Sequence, residues 1–303
     1  MEDVRARAPE GGEGVSDGTG RRAAARAEAL EDAAFLSGAA LARLHLAAGA
    51  VDLPHALWRA RLALGAAVAC AALTRRAEGA RALRDAVHLR QPGDPPGPAG
   101  EICLIWQGAV ARPISAAGLG RVAPMLEAAT IARALAPACG AAADNPVARA
   151  AGALEAALAE APRAETAALI LADAALARAM GWAHLVPLLA AGLVPRDLRL
   201  QGAALRLACP RAIAEAAGAA VQQAGDLTRR AEALRRVAPK LRARGAAEAV
   251  ALVLSRDALA PAALAGLVPG MSDRAARRFC DRLVALGVLR ELTGRASFRL
   301  YGL

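Results

Sequence analysis

The sequence has almost no aromatic side chains: three Trp, three Phe and one Tyr make up 2% of it. Its core cannot rest on stacked rings. A basic face interleaved with aromatics, which single-stranded nucleic acid needs for base stacking, is excluded as well. Lysine is nearly missing, since Lys240 is the sole one among 38 basic residues. Cysteine supplies no framework: the five, at 70, 103, 139, 209 and 280, are odd in number, widely spaced and never in a C-x-x-C pair. Reduced, buried thiols are expected rather than disulfides or a zinc site. A membrane span wants ~20 apolar residues. The longest uncharged run, 179–195, has 17 residues with Pro187 inside it, and is expected to be a buried helix. The N-terminus, "MEDVRARAPEGGEGVSDGTG", is charged and Gly-rich, unlike a signal peptide. A cytoplasmic chain with no membrane partner is the expectation.

What is present is alanine, leucine and valine, which carry most of an apolar share of 56%. Alanine has the highest helix propensity, and its small side chain lets helices approach closely. A mainly α fold follows, and 303 residues suit one large domain or two smaller ones. Basic residues outnumber acidic ones 38 to 28, a net of +10. Residues 226–303 hold 15 and 7 of these, a net of +8, and the preceding 225 residues hold 23 and 21. The basic character belongs to the last quarter, where an anionic partner is easiest to argue.

Along the chain, residues 1–21 read as a disordered tail, because they lack an apolar period. An Ala-rich all-helical domain is expected over 22–225. Within it, Pro54 introduces a second long helix, "HALWRARLALGAAVACAALTRRAEGARALRDAVHL". The segment "QPGDPPGPAG", 91–100, is the strongest break, with four prolines and three glycines. "PISAAGLGRVAPMLEAATIARAL" reads as two short helices, and "PACGAAADNP" as a second loop with Pro146 at a helix start. Residues 226–244 read as a basic connecting helix with Leu227, Leu234 and Leu241 seven apart, which Pro239 must kink or restart.

Residues 245–303 carry the pattern of a winged helix-turn-helix with a small β-hairpin. "GAAEAVALVLSRD" gives a first helix with Ala247, Val250, Ala251 and Leu254 on one face, and "APAALAGLV" a second. Ser272 is an N-cap and Gly287 an αL C-cap for the third, "SDRAARRFCDRLVALG". Its inner face is Ala276, Phe279, Cys280, Leu283, Val284 and Leu286. "VLREL" and "FRLYGL" bracket the hairpin loop "TGRAS". In such modules the third helix enters the major groove and the wing tip reaches a phosphate or the minor groove. Arg274, Arg277, Arg278, Arg282 on the third helix and Arg295 at the wing tip are therefore the candidate DNA-binding residues, since a guanidinium pairs with guanine edges or phosphate oxygens.

The stretches "AAFLSGAALARLHL", "LPHALWRARLALGAA", "RDAVHLRQPGDPPGPAGE", "AALILADAALARAMGWAHLVPLLAAGL" and "MSDRAARRFCDRLVALGVLRELTGRASFRLYGL" carry a resemblance. Through them most of residues 33–303 resembles an alphaproteobacterial family of uncharacterised proteins, the domain-of-unknown-function family 1403. That resemblance implies no activity. The last stretch also looks like the C-terminal winged helix of some bacterial Fic-type proteins. Their H-P-F-x-[DE]-G-N-G-R loop is absent here, so the resemblance implies no adenylyl transfer.

Catalytic patterns are scarce. His45, His55, His88 and His184 form no ligand motif. Asp85, His88 and Glu101 could in principle hold a metal or run acid–base chemistry. A His–Asp pair one helical turn apart is more often a structural hydrogen bond, so no catalytic residue, metal or cofactor is assigned. Glu31, Asp32 and Glu155 read as surface charges, "GLG" at 118–120 lacks a phosphate-loop context, and Trp58, Trp106 and Trp182 read as core anchors. The expected partner is double-stranded DNA. The alternative is a non-catalytic protein-interaction module, whose winged helix is structural or mediates contact with a second copy or another protein.

Overall fold

The computed structural model describes residues 16–91, 93–137 and 145–303, with side chains from residue 29 onward. The described residues contain thirteen α-helices, two short 3₁₀ helices and one two-stranded sheet. The disordered tail expected over 1–21 lies outside them up to residue 15, and the chain is helical from Ser16. The loop expected around residue 140 also lies largely outside, as does Cys139.

The centre is α8 (Glu165–Ala179), in which every residue from Ala167 to Ala177 is buried. Its sequence, "ETAALILADAALARA", is apolar all round, and such a helix has no face to give to water. Leu169, Ile170, Leu171 and Leu176 are fully buried, each contributing ~1.5–3 kcal/mol relative to exposure. Around it pack α2 (His55–Leu73), α4 (Gly97–Ala111), α6 (Ala128–Leu135), α7 (Pro146–Glu160) and the short α9 (Leu189–Gly192). Local chemistry starts several of these. Asn145 Oδ1 accepts from the N–H groups of Val147 and Ala148 at 3.0 and 3.1 Å, ahead of Pro146 at the first position of α7. Ser115 Oγ caps α5 (Ala116–Val122) by accepting from Gly118 N at 3.1 Å.

Two long helices lie along each other outside this centre, α1 (Ser16–Ala48) and α10 (Gly202–Val237). Glu155, expected as a surface charge, instead accepts from Gly202 N at 2.7 Å and fixes the start of α10. The boundary expected at 225/226 falls inside α10, which runs unbroken through it and buries Ala224, Leu227, Ala231 and Leu234. The helix stops at Val237, and Pro239 sits in the 3₁₀ turn Ala238–Lys240 that follows. One apolar core runs from Leu41 to Leu303.

Two expectations are corrected. The second long helix is broken into α2 and α3 (Ala80–His88). Thr74 Oγ1 bonds back to Ala71 O at 2.8 Å and Arg75 takes a φ of 58°, which a continuing helix does not allow. The uncharged run 179–195 is buried over Leu185–Ala190 but is helical only at its first residue and over Leu189–Gly192. Its backbone finds its acceptor in Asp173 of α8, which takes hydrogen bonds from the N–H groups of Leu188, Leu189 and Ala190 at 3.1, 2.8 and 3.3 Å. That pairing satisfies donors that would otherwise be orphaned in the core. Helix α2 is long and apolar enough to cross a bilayer. Here it packs on α3, α4, α8, α9 and α10.

Candidate nucleic-acid interface

The C-terminal elements are α11 (Ala246–Val253), α12 (Pro261–Leu267), α13 (Asp273–Ala285), β1 (Arg290–Glu291) and β2 (Tyr301–Gly302). Gly245 opens them in the left-handed region at φ 75°, where a Cβ would overlap Val268 Cγ1. The buried face of α11 is Ala246, Ala249, Val250 and Val253, so Ala247 and Ala251, expected inside, are exposed. The two faces share Val250.

The sheet is antiparallel, with Arg290 opposite Gly302 and Glu291 opposite Tyr301. Leu259, between α11 and α12, pairs with Tyr301 through two backbone hydrogen bonds of 2.9 Å. In the hairpin loop Glu291 Oε1 accepts from Thr293 N at 2.6 Å and Oε2 from Gly294 N at 2.7 Å. Burial would raise this carboxyl, but those donors outweigh it and hold it below its ordinary value.

Helix α13 is bounded as its sequence suggests. Ser272 Oγ accepts from Ala275 N at 3.3 Å. At the other end Gly287 takes φ 71°, and Gly287 N and Val288 N bond to the carbonyls of Val284 and Leu283 at 2.9 and 3.1 Å, a Schellman closure. Asp273 in the first turn and Arg282 in the last both complement the helix dipole. Ala276, Phe279, Cys280 and Leu283 are buried, while Val284 and Leu286 stand 37% and 38% exposed. They fall where the helix gives way to the turn at Gly287.

The candidate arginines divide into two groups. Arg274, Arg278 and Arg282 are exposed, one turn apart along α13, and have no ion-pair partner among the described residues. Arg277 reaches back to Asp273 at 2.6 Å. Arg295 at the hairpin tip is turned toward the body, where it pairs with Asp85 of α3. Asp85 is thus held by Arg295, and among the described residues no group of three His, Cys, Asp or Glu side chains stands ready for a metal. Burial lowers the pKa of His88; its ring lines a cleft of about 570 Å³ with Arg90, Asp273, Arg277, Asp281 and Phe298.

Sequence reasoning missed several features here. Phe298, expected in a strand, takes φ 53° and is 72% exposed beside that cleft. Burial, then the nearby charge of Arg290, lowers the pKa of Arg230 on α10. Those two cations are 60 positions apart in sequence, which no local pattern could connect. The module is tied to the rest of the chain through Asp257, 4% exposed, whose carboxylate is shared by Arg84 and Arg61. A family model described as a protein of unknown function (DUF1403) matches residues 19–303. No curated protein matches the sequence.

Proposed function

The chain belongs to the DUF1403 family, and for this member we propose that residues 245–303 act as a winged helix-turn-helix that docks on duplex DNA. Arg274, Arg278 and Arg282 are the contacting side chains. The observation that carries this proposal is their stripe: three exposed guanidiniums on the solvent side of α13, without a carboxylate among the described residues to neutralise them. Each is ready to take a phosphate or a guanine edge without first giving up an internal partner. The element order supports it, because a helix, a β-bridge at Leu259, two helices and a hairpin follow the winged helix order of parts. So does the net +8 of residues 226–303.

Arg277 and Arg295 take smaller parts, since each would have to exchange a carboxylate for a phosphate. A second proposal, that the module is a rigid protein-binding body, is favoured by its buried tie at Asp257. Fluorescence anisotropy of a labelled duplex with the full chain separates the two. The DNA role requires saturable binding that the triple Arg274→Ala, Arg278→Ala, Arg282→Ala protein loses while keeping its helical circular dichroism. Equal binding by parent and triple variant would leave the protein-binding role standing.

A further inference from the structure

The outer face of α1 is apolar where water should meet polar side chains. The helix buries Ala33, Ser37, Leu41 and Leu44 on its inner side, which packs along α10. A helix covered on one side only normally carries charge on the other. Phe35 and Leu46 are instead 75% and 76% exposed, with Leu36 exposed beside them. Of the eleven large apolar side chains exposed among the described residues, five fall between Leu30 and Val51. Apolar exposure gathered in this way marks a contact surface. The spacing points to another helix as the contact. Phe35, Ala39, Ala42 and Leu46 are all exposed and follow one another by four, three and four residues, the 3.5-residue period of a coiled-coil seam. At 3.6 residues per turn they lie opposite the buried face.

The seam reads large, small, small, large, and so fits a copy of itself turned end for end. Two copies related by a two-fold axis between residues 39 and 42 set Phe35 against Leu46 twice and Ala39 against Ala42 twice. The central alanines let the helix axes come to the short end of the ~8–10 Å range of packed pairs. Val51, 93% exposed just past the end of α1, falls near Leu30 of the other copy in the same register. Charge decides the orientation. Asp32 extends the seam at one end with Glu31 beside it, and Arg43 flanks it toward the other; all three are exposed. A parallel pair would bring Asp32 against Asp32 and Arg43 against Arg43. An antiparallel pair moves these like charges apart and turns the acidic end of each copy toward the basic end of the other.

We propose that α1 is the contact between two copies of this chain, packed antiparallel through Phe35, Ala39, Ala42 and Leu46. The contact stands independently of the DNA-docking role. One helix pair lies at the low end of the ~1,200–2,000 Å² of stable interfaces, so the dimer is reversible, with a Kd of ~1–100 µM. Sedimentation equilibrium of the full-length protein from about 1 to 300 µM is the test, and the mass should rise from one chain toward two across that range. Phe35→Glu and Leu46→Glu should each weaken the dimer by about tenfold or more. Both side chains are exposed, so circular dichroism should be unchanged, and Met125→Glu, exposed elsewhere, should have no effect. Spin labels on Val51→Cys read the orientation in a Cys139→Ser background, the four other cysteines being buried. An antiparallel pair holds the two labels about 30 Å apart and a parallel one within about 15 Å. The measurement on the parent needs no variant, so a misfolded variant does not remove the test. A one-chain mass throughout would overturn the proposal, and a dimer released only by removing residues 1–15 would assign the face to the chain's own N-terminal segment instead. A dimer indifferent to both Phe35→Glu and Leu46→Glu would overturn the surface, and labels within about 15 Å would overturn the antiparallel packing.

Discussion

Replacing Asp257 with Asn should weaken the fold more than any surface change, and the size of the effect follows from what the carboxylate holds. Arg84 Nε reaches Oδ2 at 2.6 Å and its Nη2 reaches Oδ1 at 3.0 Å, a bidentate grip. Arg61 pairs with Oδ1 through Nε without hydrogen-bond alignment, and its Nη2 donates to Leu303 O at 3.3 Å. The two arginine side chains are only 18% and 15% exposed. Asn keeps the shape and removes the charge, so no cavity opens and two largely buried guanidiniums lose their counter-ion. Breaking a buried ion pair from one side costs about 3–5 kcal/mol. For a chain of this size that lowers the Tm by about 6–10 °C, at ~2 °C per kcal/mol. Urea and thermal unfolding followed by circular dichroism measure it. Replacing all three partners by apolar residues, Asp257→Leu with Arg61→Met and Arg84→Met, should recover stability to within about 1 kcal/mol of the parent, since the desolvation of three charges disappears with them. The pH dependence has a definite sign. Burial would raise the Asp257 carboxyl, but Arg84 and Arg61 outweigh it and hold it below its ordinary value. Its contribution is then complete above the unfolded value of ~4 and fades as pH falls through the folded value, so the gap between parent and Asp257→Asn should close in acid. A loss below about 0.5 kcal/mol at neutral pH would refute the latch.

Two further perturbations probe other parts of the fold. Gly245→Ala forces a side chain into the left-handed region and onto Val268 Cγ1, so it should cost at least ~1–3 kcal/mol in urea unfolding, and a neutral result would contradict the close approach. Burial pushes the Asp173 carboxyl up to about 7, against the three N–H groups that bond to it. A carboxyl whose folded value lies above its unfolded ~4 makes the parent lose stability as pH rises through that window. The balance between parent and Asp173→Asn should therefore move toward the variant from pH ~5 to ~7.5, and a pH-independent difference would count against a buried titrating group.

Features set within a few residues were legible in the sequence. Ser272, Gly287 and Pro146 act within their own turn, and their roles hold as expected, whereas the Pro-rich break expected over 91–100 ends at Pro96, because α4 starts at Gly97 with Pro98 in its first turn. The continuous α10 and the break between α2 and α3 were not, because alanine-rich sequence looks equally helical on both sides of a true boundary. Asp173 could not be identified as the acceptor for a run 15 to 17 residues away, since one carboxylate in an apolar helix carries no directional signal. Long-range pairs were invisible for the same reason. Arg84 and Asp257 are 173 residues apart, His45 and Trp182 are 137 apart, and Arg295 and Asp85 are 210 apart. Trp182 packs against the core only partly buried, unlike Trp58 and Trp106, and is also half of a stacked pair with His45 at a cleft. In α13 the helical period separated Ala276, Phe279, Cys280 and Leu283 from the basic residues, but it also placed Val284 and Leu286 inside, where the structure leaves them exposed. It could not distinguish Arg277, held by Asp273, from Arg274, Arg278 and Arg282.

The salt dependence of duplex binding tests the DNA-docking proposal most directly. Each phosphate neutralised contributes about −0.9 to the slope of log affinity against log salt. Parent and triple stripe variant, titrated with one duplex over a range of salt, should differ in slope by about 2.7 if all three guanidiniums sit on phosphates, and by proportionately less where one reads a base edge instead. Arg295→Ala should leave the slope nearly unchanged, because that side chain is held by Asp85. Parallel salt lines for parent and triple variant, with both proteins folded, would contradict the proposal.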